Sequence, residues 1–193
     1  MRRVCVFCGS SSGARPEYAA ATAGLATLLA ERGIGVVYGG ASVGLMGLLA
    51  DTVLAEGGEV IGVIPEGVFR KEIPHAGLTE QHVVATMHER KALMGRLSDG
   101  FIALPGGSGT LEELFEVFTW SQLGLHDKGS VLLNVAGYYD GLAAFLDHIV
   151  AERFLRPEHR AMLAVADSPQ RALDALAAFE PPRVGKWLDV PAP

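Results

Sequence analysis

The chain has 193 residues, with 22 acidic against 16 basic side chains, a formal net charge of -6 and a composition rich in alanine, glycine and leucine. That length supports one sizeable core and is short for two domains. The acidic balance argues against non-specific binding to nucleic acid or anionic membrane, which require basic surfaces; apolar runs are broken by glycine or charge well before a membrane span.

Met1-Arg2-Arg3 leads directly into a strand-like Val4 to Cys8, so no cleavable signal is expected and the expected location is the cytoplasm. Cys5 and Cys8 are the two cysteines of the sequence. On one strand their side chains point to opposite faces, which rules out a mutual disulfide or a shared metal. With no second C-x-x-C, redox and zinc roles are disfavoured.

Gly9-Ser10-Ser11-Ser12-Gly13 offers hydroxyls and flexible backbone, suited to a nucleotide contact or to a plain turn. Pro16 opens a helix through Leu25, Leu28 and Leu29, closed by Gly33. Ile34 to Tyr38 reads as a second strand, running into the glycine-rich junction Gly39 to Gly47. Glu59 to Ile64 is a third strand, stopped by Pro65. Strands alternating with helices predict a parallel sheet with right-handed crossovers and helices on both faces. Ligands of such sheets sit beyond the carboxyl ends of the strands, where these loops lie. A dinucleotide site fits poorly, because Gly39, Gly40 and Gly44 do not reproduce G-x-G-x-x-G, and no P-loop Gly-Lys-Ser/Thr occurs.

From Phe69 to Met94 the pattern is least regular: Arg70 to His75 reads as a loop and Met87 to Met94 as the start of a helix. Arg90 and Lys91 are adjacent, so both are not expected on one side of that helix. A solvated basic face is the slightly favoured reading, a contact to phosphate or base the other.

Phe101 to Leu104 is a short apolar run ended by Pro105, the pattern of a strand buried on both faces. Gly106-Gly107-Ser108-Gly109 follows, and Thr110 is placed to cap a helix with apolar Leu111, Leu114, Phe115 and Phe118. Strand, glycine turn and helix start present free N–H groups to an anion, and a phosphate is the expected guest. The same helix carries Glu112, Glu113 and Glu116. They either complement the helix dipole or place a carboxylate beside a phosphorylated substrate. Trp120 falls on the side of Glu113 and Glu116, at a subunit interface or beside the ligand.

Ser130 to Val135 reads as a strand, Tyr138 to Phe154 as a helix, Met162 to Ala166 as a short strand and Pro169 to Phe179 as a final helix. One folded domain over 1–180 and a proline-spaced tail over 181–193 are expected. His75, His82, His88 and His126 lack metal-ligand spacing, and G-x-S-x-G is absent, so neither a metal nor a serine-hydrolase mechanism is expected.

Cys8-Gly9-Ser10-Ser11, Tyr38-Gly39-Gly40 with Gly44-Leu45-Met46-Gly47, Met87-His88-Glu89-Arg90-Lys91, and Pro105 to Glu113 occur in this order. From Val4 to about Phe179 the chain closely resembles the LONELY GUY (LOG) family, cytokinin riboside 5'-monophosphate phosphoribohydrolases that are often mislabelled lysine decarboxylases. One departure is Ala41, where many members have a third consecutive glycine. The resemblance implies a Rossmann-like α/β fold, a homodimer and no cofactor. It also implies cleavage of the N-glycosidic bond of an adenosine 5'-monophosphate, preferably N6-prenylated, to free base and ribose 5-phosphate. Arg90 and Glu113 would be the catalytic pair. Glu72, Lys91, Gly107, Ser108, Gly109, Thr110, Leu111, Glu112 and Thr119 would contact substrate, with Gly106, Gly9, Ser10, Gly39 and Gly40 as further candidates. A carboxylate near the anomeric carbon suits the oxocarbenium character of such a cleavage. The rival readings are a nucleotide carrier without turnover and a lysine decarboxylase, the latter needing an electron sink such as pyridoxal phosphate.

Overall fold

Short runs of apolar residues, buried on both sides, make up the centre of the molecule. The computed structural model describes residues 1–69 and 74–182. Its strands are β1 (Arg3–Phe7), β2 (Gly35–Tyr38), β3 (Val60–Pro65), β4 (Glu80–Val84), β5 (Gly100–Ala103), β6 (Ser130–Leu133) and β7 (Leu163–Ala166). All pair in parallel in the order β4-β3-β2-β1-β5-β6-β7. The chain builds outward from β1 to β4, then returns to lay β5 beside β1, with Cys5 opposite Phe101. The resulting crevice between β1 and β5 is the switch point at which α/β sheets of this kind take ligands.

The helices are α1 (Pro16–Glu31), α2 (Gly44–Ala55), α3 (Glu66–Phe69), α4 (Met87–Leu97), α5 (Ser108–Gln122), α6 (Asp140–Ala151), α7 (Pro157–Ala161) and α8 (Pro169–Ala177). On one face of the sheet Val4, Val6, Val36 and Ile102 pack against Leu25 and Leu29 of α1, Leu49 of α2 and Leu173 of α8. On the other, Cys5, Phe7, Val37 and Phe101 meet Met94 of α4, Leu114 and Phe118 of α5 and Leu146 of α6. Cys5 and Cys8 are both free and buried, and they belong to the two opposite cores, as strand alternation requires. No helix of the described residues is long and apolar enough to cross a membrane.

Several expectations need correction. Glu80–Val84 is a strand that the irregular stretch concealed, because an edge strand with polar, half-exposed residues lacks a hydrophobic signature. Pro65 does not stop β3 but is its last residue, opposite Val84 at the carboxyl end, where a missing N–H costs little. The helix expected from Tyr138 begins at Asp140, after a 3-10 turn over Val135–Gly137 in which Ala136 and Gly137 take positive φ. Pro157–Ala161 forms a short additional helix. The tail lies, from residue 183, outside the described residues.

Candidate active site

Everything at the site hangs on two helices that meet beyond the carboxyl ends of β1, β2 and β5. Gly107, not Thr110, is the N-cap of α5: its carbonyl accepts from Leu111 N–H at 3.2 Å. Thr110 lies inside the first turn with its hydroxyl packed on the Gly106 backbone, which a side chain at 106 would displace. The first-turn N–H groups have no partner within the helix and face the opening. Main-chain bonds from Gly9 N–H to the Pro105 carbonyl and from Leu45 N–H to the Gly9 carbonyl, both 3.1 Å, tie this turn to the loop after β1 and the start of α2.

The register of α4 is set at its start. The Thr86 hydroxyl accepts from Glu89 N–H at 3.1 Å, and the Glu89 carboxylate accepts from Ala85 N–H at 3.0 Å. Four residues after the cap, Arg90 is buried, and Lys91 is buried beside it. The expectation of a solvated basic face is therefore wrong, whereas the two side chains do differ in direction: Arg90 lines the cleft and Lys91 does not. Arg90 Nη2 lies 3.3 Å from Glu113 Oε1, whereas Lys91 ion-pairs with Glu112 and, at 3.0 Å, with Glu116. Arg90 Nη1 donates to Met87 Sδ at 3.6 Å, and Arg90 Nε is buried without a protein partner.

Burial pushes the Glu113 carboxyl above the usual glutamate range, an effect that the Arg90 guanidinium opposes. Lys91 loses hydration on burial, but its hydrogen bonds to Glu112 and Glu116 outweigh that and hold its ammonium above the ordinary lysine value. Burial likewise raises the Cys8 thiol.

Arg90 of α4 and Gly107 to Thr110, Glu112 and Glu113 at the start of α5 line one cleft of about 300 Å³, together with Cys8, Gly9, Ser10, Gly39, Met46 and Met87. Ten of the sequence-derived candidates thus converge on one cleft. Lys91, Leu111, Thr119 and Gly40 do not line it: Lys91 braces α5, and Gly40, at φ 82°, packs on Gly62 to Ile64 near β3. Gly106 lines an adjoining hollow of about 310 Å³ together with Ser11, Ser12, Tyr18 and Tyr138. Glu72 lies outside the described residues. Trp120 does not line the cleft but is half-buried against Gly95 of α4. Met46 and Met87 are wall residues that sequence reasoning quoted within motifs without assigning a role; a soft thioether wall suits a planar base. Among the described residues no cluster of three or more His, Cys, Asp or Glu side chains is placed to hold a metal.

Comparison with known proteins identifies the family and the fold. Residues 46–176 match the family described as "Possible lysine decarboxylase". The chain is 52% identical over 94% of its length to "Probable cytokinin riboside 5'-monophosphate phosphoribohydrolase LOGL5" of Oryza sativa subsp. japonica, covering 74% of that protein. It is 51% identical over 93% of its length to cytokinin riboside 5'-monophosphate phosphoribohydrolase LOG5 of Arabidopsis thaliana, covering 79% of it. Among solved structures, the Moco carrier protein of Chlamydomonas reinhardtii superposes with a TM-score of 0.69 over 92% of this chain and 96% of the other. At 18% identity that likeness speaks for the fold alone.

Proposed function

The chain belongs to the LONELY GUY family of cytokinin riboside 5'-monophosphate phosphoribohydrolases, and from that membership we propose that the cleft binds and hydrolyses an adenosine 5'-monophosphate at its N-glycosidic bond. The products are the free base, a cytokinin where N6 is prenylated, and ribose 5-phosphate. The observation that carries the reading is the buried Arg90–Glu113 pair lining the same cleft as the start of α5. The 5'-phosphate accepts from the N–H groups of the Gly107 to Thr110 turn. That places the ribose toward Glu113, whose carboxylate stabilises the oxocarbenium character developing as the C–N bond breaks and orients the incoming water. Arg90 holds Glu113 in place and presents its guanidinium at the wall of the cleft to the nucleotide. A binding-only protein would have no use for a desolvated carboxylate beside the ribose.

Incubation with N6-prenylated AMP and with AMP, followed by quantification of base and ribose 5-phosphate, tests the assignment. Absence of release from every N6-substituted AMP overturns it. A cytoplasmic homodimer completes the proposal: the exposed Leu123 and Leu125, just past α5, support an assembly through that end of the helix.

A further inference from the structure

Three consecutive carbonyls lead into the phosphate turn, and each is held by a donor from a different place. The Leu104 carbonyl accepts from the Tyr139 hydroxyl at 2.6 Å, the Pro105 carbonyl from Gly9 N–H at 3.1 Å and the Gly106 carbonyl from the Tyr138 hydroxyl at 2.5 Å. The first two donors are deep in the fold. The third is an exposed side chain standing in the adjoining hollow.

We infer that the Tyr138 hydroxyl is a positioning group that latches the Gly106–Gly107 peptide in the orientation needed to bind the 5'-phosphate. In a trans peptide the carbonyl and the following N–H point in opposite directions. Gly107 lines both the hollow and the catalytic cleft, whereas Tyr138 lines only the hollow. Holding the Gly106 oxygen toward Tyr138 therefore turns the Gly107 N–H toward the cleft. The peptide lies between two glycines, the pair that most easily permits it to flip. A flip would aim a carbonyl oxygen at the phosphate in place of a donor.

The element that delivers Tyr138 is shaped for this task. Ala136 and Gly137 take φ 51° and 74° just before it, a conformation unusual for alanine. Asn134 fixes the far side, accepting from Tyr139 N–H and donating to Asp140, both at 2.7 Å. The Tyr138 ring is set edge-on against Tyr18 and Tyr139, with centroids 5.5 and 4.9 Å away. Those ring contacts survive Tyr138→Phe, which removes the latch alone.

The inference rests on the turn being the 5'-phosphate site, so the test measures binding as well as turnover. Calorimetric titration of the wild type and Tyr138→Phe with AMP, ribose 5-phosphate and adenosine separates the two. The Kd for AMP and for ribose 5-phosphate should rise about tenfold, the scale of one lost hydrogen bond to a correctly oriented peptide. The Kd for adenosine should stay within about twofold, KM for AMP should rise with Kd, and Tm should hold. Unchanged phosphate affinity, or an equal loss for adenosine accompanied by a fall in Tm, overturns the inference and leaves Tyr138 a packing residue. A wild-type protein that does not bind AMP at all overturns the phosphate reading itself, and this inference with it.

Discussion

The guanidinium of Arg90 occupies the space that a side chain on Gly39 would fill: a Cβ at position 39 would collide with Nη2 of Arg90 and with the tip of Met46. The glycine after β2 is therefore a seat for the cation of the Arg90–Glu113 ion pair, the pair proposed to carry catalysis. Gly39→Ala should displace that flexible head while sparing the backbone. Since a misplaced group at the reacting centre costs about a hundredfold, kcat/KM should fall by roughly that factor with Tm within a few degrees of wild type. Steady-state kinetics and a thermal melt on the same preparation check it.

Glu113→Gln keeps shape and hydrogen bonding and removes the charge. If the carboxylate acts on the transition state, kcat should fall by about a hundredfold or more. The Kd for AMP should hardly move, because phosphate and base are held elsewhere. Loss of AMP binding with fast residual turnover would instead make Glu113 a binding residue and turn attention to Glu112 or Glu116.

The pH profile follows from burial. On the proposed mechanism Glu113 acts ionised, and its pKa lies above the ordinary value because burial disfavours the charge more than Arg90 restores it. The acid limb of kcat/KM should therefore sit above the ordinary glutamate range, with activity lost as pH falls through it, and Glu113→Gln should lack that limb. Stability runs the other way. A folded-state pKa raised above the unfolded one favours the protonated fold, so this residue's contribution is greatest at low pH and fades as pH rises through the folded pKa. Melting curves of wild type and Gln variant should lie together at low pH and separate as pH rises through that window, the wild type losing stability that the variant keeps.

Adenosine and its N6-prenylated form should be poor substrates, with kcat/KM at least about a hundredfold below the 5'-monophosphates. Binding energy of a remote phosphate is available to the chemical step only when the phosphate is present. Equal rates for nucleoside and nucleotide would remove the Gly107 to Thr110 turn from the site.

Lys91→Met removes the cation that joins α4 to Glu112 and Glu116. Because Lys91 is buried and Glu116 mostly so, unfolding stability should drop by about 1–3 kcal/mol, read by urea denaturation, with a smaller effect on AMP affinity than Arg90→Met.

What was legible beforehand was whatever local pattern encodes. The apolar run ending at Pro105, the glycine turn and the amphipathic stripe of α5 announce a strand, a tight junction and a helix from adjacent residues alone. Edge strand β4 was invisible because polar Glu80, Gln81 and His82 carry no burial signal. The burial of Arg90 and Lys91 was misread because a run of charges looks solvated in sequence, whereas long side chains can reach carboxylates on a neighbouring helix, here Glu112, Glu113 and Glu116. The latch of Tyr138 on Gly106 spans 32 positions along the chain. No periodicity reports such a contact; it depends on the positive φ of Ala136, which an alanine does not advertise.

The separation of the two cysteines onto opposite cores makes the protein its own reporter. Both thiols are held protonated by burial, so an alkylating reagent can reach them only through transient opening. Cys5 is enclosed beneath α4 and α5, so its labelling rate times the loosening of that layer. Cys8 lies in the floor of the cleft, so its labelling should slow when nucleotide is bound. Mass spectrometry of the two alkylated peptides would thus read breathing of the fold and occupancy of the cleft in a single sample, with no engineered tag.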